Sequence, residues 1–277
     1  MKKILLSVLV LIITIAGFIY GPKAIRLYNL ANLYDEDSIA SNFINIDKIF
    51  TVSDPIPAAE EAYLFNKRDY ELPETYFFDG EERDLQEGLE HFKTDGLIVL
   101  HNGDMLYENY WNGNSSDSKH IAFSVSKSFL SALIGIAVGD GLIDSIEDPV
   151  TKYLSDFNGT GYEGVRIKDI LQMSSGVKFN EDYADPNSDI NIFGRAVARG
   201  SSFRDFAKTL EREKTPGTYH HYVSIDTQVL GFLLAEVTAM SVQDYLYEKI
   251  WNKIGMEHGA YYITDNLGIE MALGGLN

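Results

Sequence analysis

The chain has 277 residues, 45% of them apolar and 23% charged, which argues against disorder throughout and allows one large domain or two small ones. Its formal net charge of −18 repels phosphate backbones and so argues against sequence-independent nucleic-acid binding; solubility is the simplest use of that charge. The absence of cysteine excludes a disulfide scaffold, a zinc ribbon and a thiol nucleophile.

Met1-Lys2-Lys3 precedes an uncharged run, Ile4 to Tyr20, with Lys23 and Arg26 after it. These seventeen residues sit at the lower limit for a spanning helix of about 1.5 Å rise per residue. The nearest cleavage-like triplet, Ala16-Gly17-Phe18, ends in a bulky ring. Residues 1–22 are therefore expected to be an uncleaved signal anchor, with the body on the exported side, periplasmic or extracellular. A cleaved signal and a buried core helix are the alternatives. Residues 23–80 read as a tether and lead-in, acidic and broken by Pro55, Pro57 and Pro73. The body is expected over 81–277.

In the body, Leu85, Leu89 and Phe92 have helical spacing. Two apolar runs, Gly96 to Leu100 and Met105 to Trp111, flank His101-Asn102-Gly103-Asp104, and Asn-Gly in that setting predicts a hairpin. Ile121 to Val138 predicts a buried helix stopped at Gly139-Asp140-Gly141. Val165 to Met173 predicts a short helix ending at Ser174-Ser175-Gly176. Ser202 is placed to cap a helix with Phe203, Phe206, Ala207 and Leu210 on one face. Pro216-Gly217 marks a turn. Thr227 to Ala239 predicts an amphipathic helix, and Ser241 starts another running to about Trp251.

The chemistry concentrates at Phe123-Ser124-Val125-Ser126-Lys127-Ser128. Ser124 and Lys127 are three apart at a helix start, so their side chains share a face. A serine hydroxyl needs a base, and a lysine serves once burial disfavours its charged form. Lys127 is the one charge in Ile121–Val138, so it needs a partner or a purpose. The competing reading is a serine near a helix start with a surface lysine. A second feature, Tyr222-Val223-Ser224, opens the Thr227 helix, and its phenol can relay a proton beside a cation. The plain alternative for Tyr222 is packing. His220 and His221 invite a histidine base, but no Gly-x-Ser-x-Gly elbow accompanies them.

Together these segments resemble the serine β-lactamase and penicillin-binding-protein superfamily, in its class C-like branch with esterases and 6-aminohexanoate-oligomer hydrolases. Asp95 to Gly103 resembles the first hairpin, Ile170-Leu171-Gln172-Met173-Ser174-Ser175-Gly176 the "LLxMxSG" segment, and Asp226-Thr227-Gln228-Val229-Leu230-Gly231 the "DTxxLG" segment. The resemblance covers about residues 80 to 277. It implies an α+β fold of the β-lactamase/transpeptidase type, an antiparallel sheet flanked by helices plus a helical region. It implies Ser124 as acyl-forming nucleophile, Lys127 as its base and Tyr222 as proton donor to the leaving group. The Ser124 backbone N–H would be one oxyanion donor, Tyr183 a pocket tyrosine, and Ser224 a contact for Lys127 or substrate.

The family's third motif, Lys-Thr-Gly or His-x-Gly on a later strand, does not follow Tyr222. The remaining sheet strands are accordingly expected to be missing at the C-terminal end. The expected function is an exported hydrolase of small-molecule amides or esters, anchored to the membrane by its N-terminal helix, with no metal, no cofactor and no nucleic-acid partner. The alternatives are a DD-peptidase or β-lactamase and a non-catalytic membrane-tethered module.

Overall fold

The computed structural model describes residues 28–277, together with Thr14, Gly17, Tyr20, Gly21, Ala24 and Ile25. Apart from those isolated positions, the expected anchor over 1–22 lies outside the described residues. Among the described residues, no single helix is long and apolar enough to cross a membrane.

The lead-in is more than a tether. It forms two helical turns, α1 (Ile39–Phe43) and α2 (Ile46–Ile49). Leu33, Ile46 and Ile49 are buried against Ile121, Tyr261 and Ile263 of the body. Val52 and Ile56 bridge antiparallel to Ile263 and Ala260. The acidic, proline-broken sequence hides this, because a few apolar residues suffice to dock a short segment on an existing surface.

Strand β1 (Asn66–Lys67) and the ribbon of β2 (Thr75–Phe78) with β3 (Glu81–Asp84) follow. Asp84 then caps α3 (Leu85–His91), accepting the Glu87 N–H at 2.8 Å. The expected hairpin is present: β4 (Gly96–His101) pairs antiparallel with β5 (Asp104–Tyr110). Asn102 (φ 51°) and Gly103 (φ 86°) make its two-residue turn, the left-handed pair that matches strand twist. The hairpin is not the only sheet structure, because β1 adds in parallel to β5. One face of β4 remains open, with Ile98 and Leu100 about half exposed.

The rest is mainly helical. A 3-10 turn at Phe123–Val125 leads into α4 (Ser126–Gly139). After it come α5 (Ile167–Leu171), α6 (Asp189–Ala198), α7 (Phe203–Lys208), α8 (Ser224–Thr238) and α9 (Val242–Leu246). The chain of α9 continues through a wider π turn at Tyr247–Trp251. Ser202 and Ser241 cap α7 and α9 as their sequences predict, accepting the N–H groups of Asp205 and Asp244.

Helices α4 and α8 form the centre. Leu130, Leu133 and Ile134 of α4 share the main core with Val229, Leu233 and Leu234 of α8. Helix α8 departs from its expected amphipathic form: every residue from Ser224 to Leu234 is buried, polar ones included. Its polar residues therefore need internal partners, and several of them serve the site below. Residues 260–277 fold back on themselves, with Tyr262 bridging Leu276 and Thr264 bridging Glu270. Their carbonyls reach the start of α4.

Candidate active site

Ser124 lies on the 3-10 turn, and Lys127 is the second residue of α4. Three residues advance the chain by about one turn, so both side chains leave on the same side. Lys127 Nζ donates to Ser124 Oγ at 3.1 Å. The Tyr222 hydroxyl, from the segment entering α8, donates to the same Oγ at 3.0 Å. Lys127 Nζ also lies 5.3 Å from the centre of the Tyr222 ring. The three residues singled out from separate sequence segments thus converge on one oxygen.

Lys127 donates a second hydrogen bond to the Leu273 carbonyl at 2.5 Å. Both of its acceptors are uncharged. Burial therefore holds its amine below the ordinary lysine range, against weaker opposition from Tyr222 and Glu181. Ser124 itself is exposed. A partly buried amine beside a solvent-facing hydroxyl is placed to take the hydroxyl proton.

The turn that presents Ser124 is strained. Phe123 adopts φ 42°, the left-handed region that costs a non-glycine residue about 1 kcal/mol or more. Backbone hydrogen bonds from both flanking segments fix it. The Ile121 N–H donates to Phe43 O at 3.0 Å, and the Ala122 N–H donates to Leu276 O at 2.8 Å. Ser126, fully buried, accepts the Leu276 N–H at 3.3 Å.

The Tyr222 segment rests on the Met173–Gly176 turn. The Gly217 N–H donates to Ser174 O and the His221 N–H to Met173 O, both at 2.8 Å. Gly176 has φ 76°, and a Cβ there would collide with the Lys214 carbonyl. This explains the glycine of the Met-Ser-Ser-Gly segment: the Tyr222 loop approaches too closely for any side chain. The His221 ring is hydrogen-bonded to Phe179 O at 2.8 Å. Among the described contacts no imidazole reaches Ser124, so the histidine alternative finds no geometric support.

Glu181 organises the far side, and sequence reasoning did not single it out. Its carboxylate accepts the Ser224 N–H at 3.0 Å and the Ser224 hydroxyl. It also accepts the Tyr183 hydroxyl at 3.1 Å. Ser224 is buried, and its N–H and hydroxyl both go to Glu181; among the described contacts its side chain does not bond Lys127. Tyr183 is 57% exposed, and partial burial with the Glu181 charge pushes its phenol pKa up. The signal for Glu181 lay two residues before Tyr183, but a carboxylate among 41 acidic residues carries no mark of its own.

Below Ser224, Asp226 is fully buried and accepts the Tyr162 hydroxyl at 2.8 Å. Burial pushes its carboxyl up to about 7, against the smaller pull of Ser175 and Tyr162. Among the described residues, no three His, Asp or Glu side chains are grouped to hold a metal ion.

The Beta-lactamase family model matches residues 82–267. A 6-aminohexanoate-dimer hydrolase of Paenarthrobacter ureafaciens is 31% identical over 201 residues, 70% of this chain and 51% of that protein. A candidate D-alanyl-D-alanine carboxypeptidase of Salmonella agona is 30% identical over 131 residues, 45% of this chain and 29% of its own. The chain thus spans about half the length, or less, of these curated relatives. Among solved structures, a candidate 6-aminohexanoate-dimer hydrolase from Bacillus anthracis superposes with a TM-score of 0.80 at 24% identity. That superposition covers 89% of this chain and 67% of the other. A class C β-lactamase mutant superposes with a TM-score of 0.53 at 16% identity, covering 69% and 58%. Both likenesses concern the fold, which is α+β of the β-lactamase/transpeptidase type.

Proposed function

The chain belongs to the Beta-lactamase family, and from that premise we propose that it is a serine hydrolase acting on small amides or esters through an acyl-Ser124 intermediate. The observation that carries this reading is the convergence of Lys127 Nζ and Tyr222 OH on Ser124 Oγ at 3.1 and 3.0 Å. In the acylation step the neutral Lys127 amine takes the Ser124 proton as Oγ bonds to the substrate carbonyl carbon. Tyr222 then gives its proton to the departing amine or alcohol, and the Lys127 ammonium restores it. Water releases the acyl group by the same relay in reverse. The Ser124 backbone N–H serves as one oxyanion donor in this scheme. Amide cleavage draws support from the relative named as a 6-aminohexanoate-dimer hydrolase.

The test is turnover of 4-nitrophenyl esters and anilides, combined with labelling by a fluorophosphonate. Labelling that disappears in Ser124→Ala supports the reading; hydrolysis that survives Ser124→Ala contradicts it. Acylation by penicillin with slow release would move the assignment to the peptidase or β-lactamase alternative, which the Salmonella relative makes worth testing. We also propose export and membrane anchoring, supported by Lys2-Lys3 and the uncharged run Ile4–Tyr20. Cell fractionation with protease protection tests it: recovery of the chain in the soluble cytoplasmic fraction would contradict it.

A further inference from the structure

His120 joins the segment that carries the nucleophile to the base of the β4–β5 hairpin. Its Nδ1 lies 3.0 Å from the carbonyl oxygen of Ile121, and its Nε2 lies 2.9 Å from a carboxylate oxygen of Asp95. A carbonyl and an ionised carboxylate only accept, so one ring makes both bonds at once only with a proton on each nitrogen. Among the described contacts, Asp95 is the one charged group that pairs with this ring. Both side chains are partly buried, which reduces screening of the pair. Asp95 is anchored in turn. It stands just before β4, and its carbonyl accepts the Trp111 N–H and the Asn114 side-chain amide, both at 3.0 Å. Ile121 is tied at both of its backbone polar groups, since its N–H donates to Phe43 O. The Phe43 ring meets the imidazole edge-on at 5.7 Å and the Phe123 ring at 5.0 Å. Two residues beyond Ile121, Phe123 holds the left-handed φ of 42° that aims Ser124. Such a turn persists only where its surroundings over-determine it. Among the described hydrogen bonds, neither His120 nor Asp95 reaches Ser124, Lys127 or Tyr222, so the proton relay leaves this pair without a role.

We propose that His120 and Asp95 are positioning residues for acyl transfer: the Asp95–His120–Ile121 bridge holds the Phe123 turn so that the Ser124 hydroxyl and backbone N–H meet the substrate carbonyl together. The role in acyl transfer rests on the reading of Ser124 as nucleophile. Fluorophosphonate labelling of the full chain, followed over a range of probe concentrations, separates a reversible binding constant from a limiting rate. Asp95→Asn removes the charge from the bridge, and His120→Gln offers one donor nitrogen in place of two. Each is expected to lower the limiting rate about tenfold, the rate equivalent of one hydrogen bond to a charged group, and to leave the binding constant within about twofold. His120→Phe keeps a ring against Phe43 and loses both bonds, so its loss is expected to be the largest. Adding Asp95→Asn to it is expected to change nothing further, because Asp95 acts through His120. Limiting rates within about twofold of the unmodified chain, losses that multiply in the double variant, or a loss confined to the binding constant would each overturn the proposal. If His120→Phe does not fold, Asp95→Asn and His120→Gln decide. A second measurement needs no reacting serine: in a Ser124→Ala chain, Asp95→Asn is expected to shift the backbone amide NMR signals of residues 122–124, and signals that stay in place would overturn the proposal. Absence of labelling in the unmodified chain would count against the hydrolase reading, and the amide signals would still decide whether the pair holds the turn.

Discussion

Lys127 is partly buried, and that burial holds its amine below the ordinary lysine range. The unfolded chain holds the amine proton up to the ordinary lysine value, while the folded chain releases it earlier. Stability therefore rises with pH between the lowered and the ordinary value, and this residue costs stability below that window. Lys127→Met is expected to lower ester turnover by about 10²–10⁴ while leaving the melting temperature at pH 7 unchanged or raised. Loss of turnover accompanied by collapse of the fold would point to a structural lysine instead. Asp226 has the opposite sign. Its carboxyl keeps a proton in the folded chain up to about 7, whereas the unfolded carboxyl loses it near 3.8. Its contribution to stability is complete below about pH 3.8 and is lost as pH rises through about 7. Asp226→Asn is expected to flatten the fall in stability between pH 5 and pH 8 by about 2 kcal/mol, read by urea denaturation at both values. An unchanged fall would contradict the burial of this carboxyl.

At the scale of elements, the site is assembled by turns rather than by helices. The strained Phe123 turn aims Ser124, and the Met173–Gly176 turn shelves the Tyr222 segment. Gly176→Ala places a methyl group on the Lys214 carbonyl at a left-handed backbone position. It is expected to cost about 2–4 kcal/mol and to reduce Ser124 labelling in the molecules that remain folded, because Tyr222 loses its support. A change within about 0.5 kcal/mol would mean that the loop has room that the geometry denies it. These turns explain what was legible in advance. The Asn102-Gly103 hairpin, the Ser202 and Ser241 caps and the apolar α4 run each write themselves into adjacent residues. So did Ser124 and Lys127, being one helical turn apart. Glu181, the Leu273 carbonyl and Phe43 act across long sequence separations, and the Leu273 contribution is a backbone atom that any residue supplies. Their roles depend on the folded arrangement and leave no local pattern.

In the whole molecule, the lead-in and residues 260–277 clasp the start of α4 from two sides. Ile46 and Ile49 of α2 meet Ile121 and Ile263, and the carbonyls of Phe43 and Leu276 accept the two N–H groups before Phe123. The tether expected from an acidic, proline-rich sequence is thus part of the frame around the nucleophile. Its few apolar anchors were too sparse to show a helical period. Ile46→Ala, at a fully buried position, is expected to cost about 2–4 kcal/mol and to slow labelling of Ser124 disproportionately to its effect on melting. A loss of stability without any change in labelling would separate the lead-in from the site. The central claim is that Lys127 and Tyr222 activate Ser124 for acyl transfer. Intact-mass measurement and peptide mapping after a short incubation with a 4-nitrophenyl ester test it most directly. One acyl group on the peptide carrying Ser124 is expected, absent in Ser124→Ala and strongly reduced in Lys127→Met and Tyr222→Phe. An acyl group on another residue, or an adduct at Ser124 that forms equally fast in those two variants, would contradict it.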